Sequence, residues 1–359
     1  MVPHLGCRGI RQLLNIVDTP EAVFEMSHAD RKKLFGNHEA IISAIEDPTT
    51  LQKAQNELDY CEQEHIRALA YTDSAFPQRL NKVDCDDTPT VLYYLGNADL
   101  NPPRSVCIVG TRRATEYGRE QVEKLVAGMC QEQVLVVSGL ALGVDSTAHR
   151  AALSNGLPTV AVVAHGLEQI YPPQNRELAR RIVRTGGGIV TEYAHGTRIN
   201  PGFFPARNRI IAAMADGTVV AEADVKGGAL ITANLAYSYH RDVMALPGRI
   251  GDKYSAGCNR MIASSKAQLI ENSDDLFATL NWQRLHNLQG TGLQTVLPLN
   301  LPPDEQALFD LLNKTGETLL VDDLVQKSDF SLPQVTTLLL SMELKNLVKA
   351  LPGNRYKLL

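Results

Sequence analysis

The chain has 359 residues, of which 44% are hydrophobic and 21% are charged, and its net charge is −5. This length predicts two or three domains, and the composition is typical of a globular protein with a buried core. No apolar stretch approaches the roughly 18 residues that a membrane helix needs, and the N-terminus lacks the pattern of a signal peptide. We therefore expect a cytoplasmic protein.

The six cysteines are scattered without a Cys-x-x-Cys pair, which argues against a zinc site and against a disulfide framework. The charge is distributed unevenly: residues 1–80 carry −4, residues 298–359 carry −2, and residues 81–297 carry +1. Any attraction for phosphate is therefore expected from local clusters of cations in the middle of the chain.

Residues 1–75 read as a small helical domain, with several short helices followed by a longer one from Leu51 to Ala70. Residues 4–14 (HLGCRGIRQLL) could form a helix-hairpin-helix turn whose backbone amides bind DNA phosphate. The local negative charge favours the simpler interpretation, a packing turn within a helical domain.

Over residues 80–285 the sequence pattern changes to short apolar runs that alternate with helical stretches. Near-continuous apolar strands, each followed by a turn and a helix, are typical of a parallel sheet covered on both faces. The pattern predicts an α/β fold with a doubly wound, mostly parallel sheet. The predicted strands are 91–95, 105–110, 134–139, 159–164, 188–192, 218–223 and 242–248.

Residues 286–301 have no clear period and read as a linker. Residues 302–359 show three helix patterns and then two short strands around Pro352-Gly353-Asn354, which is a winged-helix arrangement. The third helix, from Leu332 to Asn346, carries only one cation, Lys345. Because duplex reading normally needs a basic face, we expect this module to serve protein interaction or structure.

Two of the predicted strands are followed by glycine-containing turns. Gly110, Thr111, Arg112 and Arg113 come after one strand, and Ser138 and Gly139 come at the end of the next. Small residues allow backbone amides to approach a ligand closely, and the helix N-terminus that follows favours an anion. Neither turn matches the dinucleotide or the Walker A pattern, so the sequence favours an open phosphate-binding surface.

The segment from Phe203 to Ile211 combines two aromatic residues with two arginines at the start of an apolar helix. Arginines at a helix N-terminus oppose the helix dipole, so a compensating anion is expected there. Phe204 is the candidate for base stacking, while Phe203 is expected to point toward the core. The remaining candidates in this segment and in the later Gly-rich loop are Gly202, Arg207, Asn208, Arg209, Lys226, Gly227 and Gly228.

The ordered blocks IVGTRRATEYG, VSGLALGVDSTAHRAAL, TVAVVAHGLEQIYPPQN, FFPARNRIIAAMADGTVVAEA, KGGALITANLA and VMALPGRIGDKYSAGCNRMI closely resemble the DNA-processing protein DprA (Smf) family over roughly residues 80–275. The resemblance implies an extended Rossmann-like domain that binds single-stranded DNA, protects it during natural transformation and loads the RecA recombinase. It also implies a homodimer, for which we expect the region from Tyr254 to Ile270 to form the contact.

Carried over by motif, the DNA contacts would be the Gly110–Arg113 turn, Ser138-Gly139, the Phe204–Arg209 segment and the Lys226–Gly228 loop. Arg112, Arg113, Arg207 and Arg209 would neutralise phosphates with help from Lys226. One departure from the family pattern is Gly227, which stands where many relatives have a serine and so removes a possible hydroxyl contact to phosphate.

No spacing of titratable residues demands catalysis, a metal or a cofactor, and we expect none. Asp145 and His149 lie one helical turn apart and are expected to cap and pack their helix. The alternative function is a nucleotide N-glycoside hydrolase of the lysine-decarboxylase-like group, suggested by the turn Thr185–Gly188. The absence of a suitably placed glutamate after residues 226–232 counts against that alternative.

Overall fold

The structure is a computed structural model that describes residues 2–17, 19–83, 88–285, 301–315, 319–328, 330–345, 347–351 and 355–358. The chain divides into two compact units, Met1–Leu288 and Gln289–Leu359. Residues 286–300 of the predicted linker and the turn at 352–354 lie outside the described residues.

Five helices open the first unit, and side-chain caps fix where several of them begin. Thr19, Ser27 and Asp47 each accept a hydrogen bond from a backbone amide in the first turn of the following helix. The helices are α1 (Cys7–Leu14), α2 (Pro20–Glu25), α3 (His28–Phe35), α4 (Glu39–Glu46) and α5 (Pro48–Gln63).

The prediction of one long helix from Leu51 to Ala70 is wrong at the C-terminal end of that range. It stops at Gln63, the chain turns through His65 with a φ of 56°, and residues Arg67–Ala70 form a strand, β1. Arg-Ala-Leu-Ala has high helix propensity, but pairing with the neighbouring strand prevails over that preference. The predicted domain boundary near residue 75 therefore falls after the first strand of the sheet.

Eight further strands complete a nine-stranded sheet in the order β1-β2-β6-β5-β4-β3-β7-β8-β9. The strands from β6 to β9 in this order pair in parallel, whereas β2 is antiparallel to both β1 and β6. The remaining strands are β2 (Val91–Gly96), β3 (Arg104–Val109), β4 (Val134–Ser138), β5 (Thr159–Val162), β6 (Gly188–Thr191), β7 (Gly217–Val220), β8 (Asp242–Ala245) and β9 (Gln268–Leu269).

All seven predicted runs form strands, and the mostly parallel, doubly wound sheet is confirmed. Side chains alternate between the two faces, as the pleat requires: Val106 and Ile108 enter one core, and Cys107 and Val109 enter the other. Helices cover both faces, so even the central strands are buried throughout.

One face is covered by α7 (Glu116–Ala127), α8 (Val144–Ser154), α9 (Arg176–Arg184) and α13 (Ser273–Thr279). The other face is covered by α6 (Gln78–Asn81), α10 (Phe203–Ala213), α11 (Gly228–Ser238) and α12 (Ala256–Ala263). A short 3₁₀ turn, Pro173–Asn175, comes directly before α9.

The second unit contains helices α14 (Pro303–Thr315), α15 (Val321–Lys327) and α16 (Leu332–Leu344). Its three-stranded antiparallel sheet consists of β10 (Leu319–Leu320), β11 (Val348–Leu351) and β12 (Arg355–Leu358), in the order β10-β12-β11. Leucine and valine side chains from the helices and from β11 form its core. The predicted winged-helix arrangement is confirmed.

Candidate nucleic-acid interface

The order of the strands creates a crevice at one edge of the sheet. From β3 the chain adds β4, β5 and β6 on one side and then returns to add β7, β8 and β9 on the other. Loops that leave the carboxyl ends of β3 and β7 therefore diverge, and such a switch point is where open α/β sheets bind ligands. Gly110 follows β3 here because an added Cβ would lie 2.4 Å from Val144 Cγ2.

A cavity of about 520 Å³ occupies this switch point. Its walls come from the loops after β3 and β7 and from the N-terminal halves of α10 and α11. The helix N-terminus at Gly228 adds a positive dipole end to the wall. The predicted residues that the structure brings together here are Gly110, Thr111, Arg112, Phe204, Arg207, Asn208, Gly227 and Gly228.

Three side chains form a cluster in the wall of the cavity, with the Phe204 and Tyr171 rings tilted by 52° to each other. The ring centroid of Phe204 lies 5.6 Å from that of Tyr171, and the guanidinium carbon of Arg112 lies 5.7 Å from the Phe204 centroid. Phe204 is half-buried, whereas Arg112 and Tyr171 are exposed. Phe203 turns away from this group, and its ring stacks on Tyr193 at 4.3 Å. A cation therefore lies against an accessible aromatic face.

Arg207 is buried in the floor of the cavity, and its predicted contact with phosphate stays a prediction. Its Nη1 donates to the carbonyls of Gly139, at 2.7 Å, and of Val162. Burial lowers the pKa of Arg207 to about 10, so the group still carries its charge at neutral pH. Gly139 is required beneath it because a Cβ there would lie 2.3 Å from Nη1.

Asp145 lies in the same floor and is fully buried. Its Oδ2 accepts hydrogen bonds from the amides of Gly139 at 3.2 Å and Ala141 at 3.4 Å, so it fixes the loop after β4. Burial raises the pKa of Asp145, and the nearby Arg207 charge opposes that shift. The sequence assigned this carboxylate to capping of α8, whereas its contacts tie together the loop that underlies the cavity.

Other predicted residues do not reach the cavity as free ligands. Ser138 is fully buried, and its Oγ donates to the carbonyl of Ile108 at 2.6 Å. Arg209 is paired with Glu192 and lies beside Leu80 on another side of α10. Two helical positions correspond to a rotation of roughly 200°, so Arg207 and Arg209 cannot face the same way.

Three more predicted residues, Arg113, Gly202 and Lys226, are exposed and stand outside the residues that line the cavity. His149 packs as expected: its Nδ1 lies 2.7 Å from Thr159 Oγ1, and burial lowers its pKa to about 3. Residues that sequence reasoning missed are Tyr171, Asp224 and Thr232, all in the lining. For Tyr171, the available signal was its position in the loop after the predicted strand 159–164.

The turn that suggested hydrolase activity lies elsewhere. Thr185–Gly188 leads into the amino end of β6, at the opposite edge of the sheet from the cavity. Among the described residues, no group of three or more His, Cys, Asp or Glu side chains is placed to hold a metal ion. Within the same residues no helix is long and apolar enough to span a bilayer.

Comparison with known proteins decides the family. Residues 67–281 match the model for DNA recombination-mediator protein A, and residues 295–354 match the DprA winged helix domain. This chain belongs to the DprA family. The first match begins at β1, so the DprA model spans the whole nine-stranded sheet.

The DNA processing protein DprA of Streptococcus pneumoniae is 35% identical over 272 residues, covering 75% of this chain and 92% of the relative. Its X-ray structure superimposes with a TM-score of 0.65 at 33% identity, covering 77% of this chain and 93% of the other. A DprA structure from Helicobacter pylori, described for its single-stranded DNA binding mode, gives a TM-score of 0.54 at 31% identity and covers 61% of this chain and 97% of its own.

Proposed function

We propose that this chain binds single-stranded DNA in the cavity at the switch point between β3 and β7. The observation that carries the proposal is the cluster of Arg112, Phe204 and Tyr171 in the wall of the cavity, where a cation lies over a partly exposed aromatic ring. Aromatic faces for bases beside cations for phosphates are the combination that single-strand-binding surfaces use. The H. pylori DprA named for single-stranded DNA binding supports the same ligand class.

In this proposal Arg112 neutralises a phosphate, and Phe204 offers its ring to a base. Gly227 and Gly228 allow backbone amides at the start of α11 to approach a second phosphate. Arg207 supports the loop after β4 and the end of β5 from beneath and contributes a buried positive charge. The chain acts by binding, without catalysis on the DNA.

We also propose that the bound strand is incoming DNA in natural transformation, which the protein protects and passes to the RecA recombinase as a homodimer. Family membership supports this role, and the region from Tyr254 to Ile270 is the proposed dimer contact. Nuclease protection of a single strand and RecA filament formation on it, with and without the protein, test the two activities. Leu269 is an exposed apolar residue of this region, on β9. Loss of both nuclease protection and RecA filament formation in Leu269→Arg would support the proposed dimer contact.

Titration with salt tests the cavity assignment on the full-length protein. Arg112→Ala should weaken binding of a single-stranded oligonucleotide, and the plot of log affinity against log salt should become shallower by about 0.7, the value for one lost phosphate contact. Phe204→Ala should cost about 1–3 kcal/mol of binding free energy and leave the slope unchanged, because stacking releases no counterion.

Arg113→Ala is the matched control, since this exposed arginine is adjacent in sequence but outside the cavity. Unchanged affinity and slope for Arg112→Ala would contradict the proposal. Equal losses of DNA affinity for Arg112→Ala and Arg113→Ala would place the phosphate contact at the rim of the cavity rather than inside it.

A further inference from the structure

A row of arginines runs along one side of α9. Arg176, Arg180 and Arg184 are four residues apart, so they repeat at about 6 Å along one face of the helix. All three are exposed, and α9 carries one acidic residue, Glu177, among four arginines. We call Arg176, Arg180 and Arg184 the α9 arginine row.

The row borders a groove of about 540 Å³ that is separate from the cavity already described. Its apolar wall comes from the loop before α9, from α9 itself and from the neighbouring strands β2 and β6. The aliphatic side chains in this wall are Leu95, Leu167, Ile170, Val183 and Ile189, and Glu168 is the acidic residue beside them. The groove thus combines a line of positive charge with a flat apolar side.

One loop links the groove to the cavity. Tyr171 lines the cavity and the preceding residue, Ile170, lines the groove, so the two sites share one loop. Asn175 joins them from below, because its Nδ2 donates to the carbonyl of Leu140 at 2.8 Å in the loop that contains Ala141 of the cavity wall. α9 then runs back across the sheet, with Arg176 at the cavity end and Arg184 farthest away.

The ion pairs that two arginines of the row already form are weak. Glu177 lies 3.5 Å from Arg180 and 3.4 Å from Arg184, but all three side chains are more than 60% exposed. Exposed ion pairs of this kind contribute about 0–1 kcal/mol, so a phosphate can displace the carboxylate at little cost. A polyanion that neutralises several cations gains further from the release of its own counterions.

We propose that the α9 arginine row and its groove form a second subsite for single-stranded DNA, which holds the strand as it leaves the cavity past Tyr171. The arginines contact successive phosphates, and the aliphatic wall receives the bases. Evenly spaced charges in a line fit a backbone of evenly spaced phosphates better than an acidic peptide, whose charges are irregular. This inference rests on the proposed function of the cavity.

The test compares two lengths of oligothymidylate, about 5 and about 20 nucleotides, which bracket the roughly 4–16 nucleotides covered by single-strand-binding domains. The full-length triple variant Arg176→Gln, Arg180→Gln, Arg184→Gln should bind the short strand like the wild type and the long strand roughly tenfold more weakly. Its salt slope for the long strand should become shallower by about 2, the value for three phosphate contacts.

The control changes Lys32, Lys33 and Lys53 to glutamine, which removes the same charge from exposed positions on α3 and α5. It should bind both lengths like the wild type, and all proteins should show the same thermal midpoint. Unchanged long-strand affinity in the row variant overturns the proposal and is the result expected if the groove instead receives an acidic protein segment. Equal loss for both lengths also overturns it.

Failure of the cavity assignment gives a different result. If Arg112→Ala binds both lengths normally while the row variant loses the long strand, the cavity is wrong and the row remains a DNA site. If Arg112→Ala weakens both lengths and the row variant weakens neither, the cavity stands and the second subsite is rejected.

Discussion

Arg207 shows how a residue found by sequence pattern can have structural contacts that the pattern does not reveal. Its place between Phe204 and Arg209 predicts a phosphate ligand, and its guanidinium also binds two buried carbonyl groups, one in the loop after β4 and one in β5. A motif indicates which residues gather at a site. Which of them face the ligand depends on helix phase and on carbonyls that come from distant parts of the chain.

We expect Arg207→Lys to destabilise the first unit by about 1–3 kcal/mol, because the shorter lysine side chain does not extend to the two carbonyls that Nη1 contacts and would leave a buried acceptor unpaired. Urea denaturation followed by circular dichroism measures the change. Arg113→Lys, at an exposed position, is the control and should leave the denaturation midpoint unchanged. An equal midpoint for the two variants would show that the Arg207 contacts contribute little.

Much of the site was accessible from sequence at this scale. Glycines after strands predicted turns that line the cavity, and Arg112 and Phe204 do meet in its wall. The hydroxyl of Ser138 donates to Ile108 on the adjacent strand, a contact that nothing in the local sequence reveals. Tyr171 was missed because its approach to Phe204 depends on how the loop after β5 folds back over the sheet edge.

Among the elements, the parallel strands were predictable because each is buried on both faces and reads as an apolar run. β1 and β9 escaped prediction for different reasons. β1 has a helix-favouring sequence and becomes a strand only by pairing with β2, whereas β9 is just two residues long, with both side chains exposed. Local sequence carries little information about elements that tertiary pairing creates.

The cap of α13 gives a prediction for a single element. Asn272 Oδ1 accepts from the amides of Asp274 at 2.8 Å and Asp275 at 3.1 Å, and α13 places Leu276 and Phe277 in the core. Asn272→Ala should therefore cost about 0.5–2 kcal/mol in urea denaturation. Asn272→Ser, which keeps a capping oxygen, should retain most of the stability. A loss of equal size in both variants would point to packing as the cause.

At the scale of the whole molecule, the second unit differs from a duplex-reading module. The exposed side chains on its helix α16 include Leu332, Gln334, Thr336, Thr337 and Leu340, which are all uncharged. Lys345, just after the helix, pairs with Glu305 at 2.6 Å. A face of this composition suits contact with protein more than with phosphate, as the sequence had suggested.

The position of β1 determines which fragment of the chain can fold. A fragment of residues 80–285 lacks β1 and Phe76, whose side chain is fully buried, so it exposes the edge of β2 and opens a hole in the core. We expect it to aggregate. Residues 48–285 retain both features and the stack of Tyr60 on His195, and should unfold cooperatively and bind single-stranded DNA. Analytical gel filtration and thermal denaturation compare the two fragments, and identical behaviour would show that β1 is dispensable.

The antiparallel pairing of β2 also sets an order of events during synthesis. Tyr93 pairs with Thr191, so β2 emerges from the ribosome well before β6, its inner neighbour, exists. Until β3, β4, β5 and β6 have been made, the inner edge of β2 is unpaired and open to other chains. The first strands of the sheet to be translated thus join the parallel strands only after β3, β4, β5 and β6 have been made, and the helices before them have time to fold in that interval.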